Sequence, residues 1–121
     1  MATKLKTVLI TGCSTGGMGA ALAVAFHEAG FHVYASARNV AKMASLARPG
    51  IDLLELDILS TDSIDACVRK ISKLDVLVNN AGITYSMPLS DADLEIGRNM
   101  FNVNIWAQIA VTQAFLPLLI Q

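Results

Sequence analysis

The sequence predicts an α/β chain built on a parallel, doubly wound sheet with helices on both faces. Three observations point there. Short apolar runs alternate with helix-period segments along all 121 residues. The apolar runs are near-continuous, as strands covered on both faces require. The first run leads straight into a glycine-rich turn, Thr11-Gly12-Cys13-Ser14-Thr15-Gly16-Gly17-Met18-Gly19, that opens a helix. Right-handed crossovers give the strand order 3-2-1-4 in a single domain spanning 1–121.

Each element follows from local pattern. Leu5–Ile10 is the first strand. Met18–Ala29 is a helix with Met18, Leu22, Phe26 and Ala29 on one stripe and Gly30 as its stop. Phe31–Ala37 is the second strand, and Val40–Ala47 a short helix closed by Pro49-Gly50. Ile51–Leu56 is the third strand. Ser60 or Thr61 then caps a helix that turns Ile64, Cys67, Val68 and Ile71 inward. Leu74–Val78 is the fourth strand, ending in Asn79-Asn80-Ala81-Gly82. Its Val-Leu-Val composition suits a sheet centre although the order places it at an edge, so something belongs beside it. Ser90 and Asp93 form a capping box that launches a helix to about Met100. A last helix runs from about Asn102 towards Gln121, with Pro117 expected to bend or end it.

Composition narrows the function classes. Apolar residues make up 54% and charged residues 16%, which describes an ordered chain with one sizeable core. The net charge is −1 and the basic residues are scattered, so no footprint for nucleic acid is present. Cys13 and Cys67 read as reduced thiols in a cytoplasmic-type compartment. Met1–Lys6 holds no signal-peptide apolar core. Ile105–Ile120 is strongly apolar, but Gln108, Thr112, Gln113 and Pro117 interrupt it, which suits a buried or partner-facing helix rather than a membrane span. No Cys, His and carboxylate cluster has metal-ligand spacing, so no metal is expected.

Glycines belong where main chain must approach a pyrophosphate with no side chain between. The helix behind them then offers unpaired N–H groups and a positive dipole end. Thr11-Gly12, Gly16-Gly17-Met18-Gly19 and Asn79-Asn80-Ala81-Gly82 together resemble the short-chain dehydrogenase/reductase family, a Rossmann-type fold, over the entire chain. The resemblance implies a nicotinamide dinucleotide as cofactor, held by Gly12, Gly17, Met18 and Gly19 and by a hydroxyl that is either Ser14 or Thr15. The turn is one residue longer than the family's commonest form, which leaves that choice open. The wording of the turn and of the Ala-Phe-His stretch after it looks most like fungal NADPH-dependent 1-acyldihydroxyacetone-phosphate reductases. If that closer likeness holds, a lipid ketone is the substrate and a lipid-droplet or endoplasmic-reticulum surface the location.

In this architecture an acidic residue at the end of the second strand selects NAD. Here that place falls on Ala37, followed by Arg38, whose guanidinium suits a 2′-phosphate. NADP(H) is therefore favoured over NAD(H). By resemblance Asp57 contacts the adenine amino group, Asn80, Ala81 and Gly82 line the cofactor ribose, and Asn104 is the asparagine of a proton relay.

The family's catalytic Ser, Tyr and Lys would lie beyond Gln121, on a further strand and helix. No residue present substitutes for them. Tyr34 and Arg38 have the right spacing but lie on the second strand, Tyr85 is followed four residues on by Leu89, and His27 and His32 sit on or beside the first helix. The chain is thus expected to be the cofactor-binding, truncated part of an oxidoreductase acting on a carbonyl or alcohol, inactive alone. The alternative is a non-catalytic nucleotide-binding or dimerising module. A sugar-nucleotide epimerase-like branch is disfavoured by the first-glycine spacing and the Asn-Asn-Ala-Gly segment. By resemblance the last helix packs against a partner subunit, and its stripe Ile105, Ile109, Phe115, Leu116 and Leu119 is expected to promote self-association.

Overall fold

The computed structural model describes residues 5–121. Residues 1–4, on which part of the signal-peptide expectation for Met1–Lys6 falls, lie outside the described residues. Four parallel strands form one sheet: β1 (Thr7–Ile10), β2 (His32–Ala37), β3 (Ile51–Glu55) and β4 (Val76–Val78), in the order β3-β2-β1-β4. That is the expected order. Register runs Val8 with Val33 and Val76, Leu9 with Tyr34 and Leu77, and Ile10 with Ala35 and Val78.

Period-two alternation through β1 explains why its sequence is apolar throughout. Val8 and Ile10 enter a core beneath α1 (Met18–Glu28) and the 3₁₀ helix Val40–Leu46, together with Val33, Ala35, Met43 and Leu46. Leu9 faces the opposite core, formed with α2 (Thr61–Arg69) and the long C-terminal helix, among Ile64, Cys67, Val111 and Phe115. At the bottom edge the Asp75 carboxylate accepts the Thr7 N–H at 2.8 Å, fastening β4 to β1 before their ladder begins.

Several local expectations are corrected. The core face of α1 is Gly19, Ala20 and Ala23, whereas Met18 is 73% exposed and Ala29 is exposed. Leu22 and Phe26 of the expected stripe pack against this core, while at Gly19 the helix comes too close to the β1 turn for a side chain. The short helix expected over Val40–Ala47 is a 3₁₀ helix, Val40–Leu46, capped by the Asn39 side chain. Ser60 is the cap of α2, accepting the Ser63 N–H. Ser90 caps nothing. It lies in a separate 3₁₀ turn, Leu89–Asp91, while Asp93 itself caps α3 (Leu94–Phe101) by accepting from Glu95 and Ile96.

α3 ends at Phe101, close to the expected Met100, without a break in the helical path. It passes through a π-helical turn, Asn102–Trp106, into α4 (Ala107–Leu119). Pro117 sits inside α4 and does not end it. The ladder bond it lacks would fall on Gln113, an exposed residue whose carbonyl water can satisfy. Phe115 is wholly buried and so leaves the expected surface stripe, where Ile105, Ile109 and Leu116 remain 42–45% exposed. No helix among the described residues is long and apolar enough to cross a membrane.

Candidate functional site

A cleft of about 960 Å³ opens over the C-terminal ends of all four strands. The β1 turn contributes Gly12, Ser14 and Met18. The end of β2 contributes Ala37 and Arg38, and the loop after β3 contributes Leu56 to Leu59 with Asp57. The segment after β4 contributes Asn80 to Thr84, and the long helix contributes Asn99, Val103 and Asn104.

The turn is shaped by close main-chain packing. Gly12 has φ +71, and a Cβ there would lie 2.8 Å from the Ala81 Cα. A Cβ on Gly19 would lie 2.4 Å from the Gly12 carbonyl oxygen and 2.6 Å from the Asn80 amide. Gly17 caps α1 with no side-chain acceptor, and its first turn holds no acidic residue. The leading N–H groups of α1 thus lack side-chain partners, and a helix N-terminus in that state suits an anion such as a diphosphate.

The two hydroxyls left open by the sequence separate clearly. Ser14 lines the cleft. Thr15 turns the other way: its N–H donates to the Lys42 carbonyl at 2.8 Å, and its hydroxyl donates to the same oxygen at 2.7 Å and lies 3.1 Å from the Ser45 hydroxyl. Thr15, Gly17 and Gly19 are not among the residues that line the cleft. Gly19 and Gly17 shape the turn from behind.

Arg38 and Asp57 are the charged residues of the lining. Arg38 is exposed and has no hydrogen-bond or ion-pair partner among the described residues. Asp57 accepts the Leu59 N–H on one carboxylate oxygen at 3.0 Å, an Asx turn that fixes its direction. Cys13 is buried beneath the turn, donates to the Ile10 carbonyl at 3.2 Å, and has its thiol pushed up to about 11 by burial, partly offset by a main-chain hydrogen bond from Ser36. It is a neutral packing residue. Cys67 lies in the other core, so the two thiols are free and separated by the sheet.

A polar seam that the sequence reading missed joins β1, β4 and the long helix. The Thr11 hydroxyl accepts N–H bonds from Asn80 and Ala81 at 3.0 and 2.9 Å, and the Asn80 amide donates to the Thr11 and Gly12 carbonyls at 3.1 Å. Gln108 donates to the Ala81 carbonyl at 2.6 Å, and Asn79 donates to the Thr112 hydroxyl at 3.0 Å. Gln108 and Thr112 were visible in the sequence only as polar breaks in an apolar helix. Asn104 holds the main chain of Ile83 with both atoms of its amide. Together these bonds seat the 80–83 segment against the cleft wall.

A family model described as short chain dehydrogenase matches residues 6–121. A short-chain dehydrogenase/reductase of Pestalotiopsis microspora is 64% identical over the whole chain, which covers 45% of that relative. An NADPH-dependent 1-acyldihydroxyacetone phosphate reductase of Schizosaccharomyces pombe is 42% identical over 91% of this chain and 39% of its own length. The chain therefore spans less than half the length of these curated relatives. Among solved structures, a short-chain dehydrogenase of Streptomyces avermitilis superposes with a TM-score of 0.88 at 28% identity, covering 97% of this chain and 45% of that one. A short chain dehydrogenase of Shigella flexneri complexed with NADP gives 0.86 at 25% identity, covering 96% and 54%.

Proposed function

The chain belongs to the short-chain dehydrogenase family, and from that premise we propose that it is the NADP(H)-binding part of an oxidoreductase that reduces a carbonyl or oxidises an alcohol. One observation carries the reading. The glycine turn, Arg38, Asp57 and Asn80–Gly82 converge on one cleft at the C-terminal ends of four parallel strands, where open α/β sheets bind their ligands. Gly12, Ser14 and Met18, with the N-terminus of α1, hold the diphosphate. Gly19 lets main chain come close, and Gly17 leaves the helix start open. Arg38 pairs with the 2′-phosphate, Asp57 accepts from the adenine amino group, and Asn80, Ala81 and Gly82 line the ribose. The nicotinamide, when bound, donates or accepts a hydride.

The absence of a carboxylate at the end of β2 supports NADP(H) over NAD(H), as does the NADPH dependence named for the Schizosaccharomyces pombe relative. The name of the same relative supports an acyl or lipid ketone as substrate; a location in the cytoplasm or on a lipid-droplet or endoplasmic-reticulum surface belongs to the same proposal. Self-association through the long helix has support from Trp106, Ile109 and Leu116, which are 65, 44 and 45% exposed.

A second reading, a module that binds the nucleotide without chemistry, shares the cofactor site. It is favoured for residues 5–121 alone by one fact: no Tyr, Lys, His or Cys lines the cleft among the described residues. Such groups commonly protonate a developing alkoxide, and the one carboxylate of the lining, Asp57, is turned to the Leu59 N–H. Titration with NADPH and NADH tests the shared claim, and carbonyl-dependent NADPH oxidation separates the two readings.

A further inference from the structure

We infer that Thr15 is a positioning residue for coenzyme choice, tying the segment that bears Arg38 to the glycine turn. The inference rests on the reading of the cleft as an NADP(H) site, and it comes from the bonding pattern behind the turn. Alternate residues of the turn face opposite ways. Cys13 N–H donates to the Ser36 carbonyl at 2.9 Å, and Thr15 donates twice to the Lys42 carbonyl, through N–H at 2.8 Å and through its hydroxyl at 2.7 Å. Ser14, held between these two anchors, faces the cleft.

Lys42 is in turn bonded back towards Arg38. Its N–H donates to the Asn39 carbonyl at 3.1 Å, and the Asn39 side chain accepts the Ala41 N–H at 3.0 Å. One continuous set of bonds therefore runs from Thr15 through Lys42 and Asn39 to the residue next to Arg38. The Arg38 side chain itself has no protein partner among the described residues, so its direction depends on where this segment sits. The diphosphate and the 2′-phosphate are carried by the same adenosine ribose, which bounds the distance between them. A site that reads both must hold Ser14 and Arg38 at a set separation, and the Thr15 hydroxyl is the side-chain bond that spans the two segments. Relaxing it costs the contact with the 2′-phosphate and leaves the diphosphate contacts, which NADH shares, in place.

The test is the affinity of the full chain for NADPH and for NADH, in the wild type, Thr15→Val and Thr15→Ser. Val preserves shape at an exposed position and keeps the main-chain bond. Thr15→Val is expected to weaken NADPH binding roughly three- to tenfold, the scale of one neutral hydrogen bond, with NADH changed less than twofold. Thr15→Ser restores NADPH binding. Equal loss for both coenzymes, no loss for either, or a Ser variant that behaves like Val overturns the inference while the wild-type preference for NADPH stands. A wild type that binds the two alike removes the underlying reading and the inference with it.

Discussion

Asn104 grips Ile83 at both ends of its amide, donating to the carbonyl at 2.7 Å and accepting the N–H at 2.9 Å. The π-helical turn Asn102–Trp106 presents it there while Val103 and Ala107 stay buried on the core side. The Asn104 side chain thus holds the segment that follows β4.

Asn104→Ala is expected to lower stability by about 1–2 kcal/mol, because it removes two hydrogen bonds at an exposed site. The same variant should speed amide exchange at Ile83. Urea denaturation and hydrogen exchange check both. An unchanged midpoint with protected Ile83 would show that the grip contributes nothing.

Two glycines should respond in opposite directions. Gly19→Ala places a methyl 2.4 Å from the Gly12 carbonyl oxygen and is expected to cost about 1–3 kcal/mol and to impair dinucleotide binding. Gly97→Ala, in the middle of α3 with nothing within 4 Å of the new methyl, is expected to gain about 0.5–1 kcal/mol. Thermal melting of both variants beside the wild type decides it, and a stabilising Gly19→Ala would refute the close packing behind the turn.

Burial pushes the Cys13 and Cys67 thiols from 9.0 up to about 11. Their folded pKa exceeds the unfolded one, so the linked stability is fully present below about pH 9 and is lost as pH rises through about 11. Native chain at pH 8 should resist a thiol reagent that labels the unfolded chain completely, and its urea midpoint should fall between pH 8 and 10.5. Rapid native labelling at pH 8 would contradict this assignment.

Much of this architecture can be read from the residues because the deciding physics is local. Val8-Leu9-Ile10 is apolar on both faces, the glycines follow at once, and right-handed crossovers leave a single strand order. What escaped the reading depends on partners distant in the chain. The π turn has no local signature; Asn104 within it and Gln108 just after it bond to Ile83 and Ala81. The choice between Ser14 and Thr15 rests on the Lys42 carbonyl, 27 residues away. On α1 the bulky stripe shows Leu22 and Phe26 against the core, but not that close approach to the β1 turn makes Gly19, Ala20 and Ala23 its most buried residues.

The central claim is that this cleft holds a nicotinamide dinucleotide and that Arg38 reads its 2′-phosphate. Calorimetric titration of the folded chain with NADPH and NADH, for wild type and Arg38→Asp, tests it most directly. Wild type should bind both and prefer NADPH. Arg38→Asp should weaken NADPH more than NADH by about 1–3 kcal/mol, the scale of a charge-assisted contact. Absence of binding by either coenzyme to folded wild type would contradict the cofactor site, and equal losses in the variant would contradict the role of Arg38.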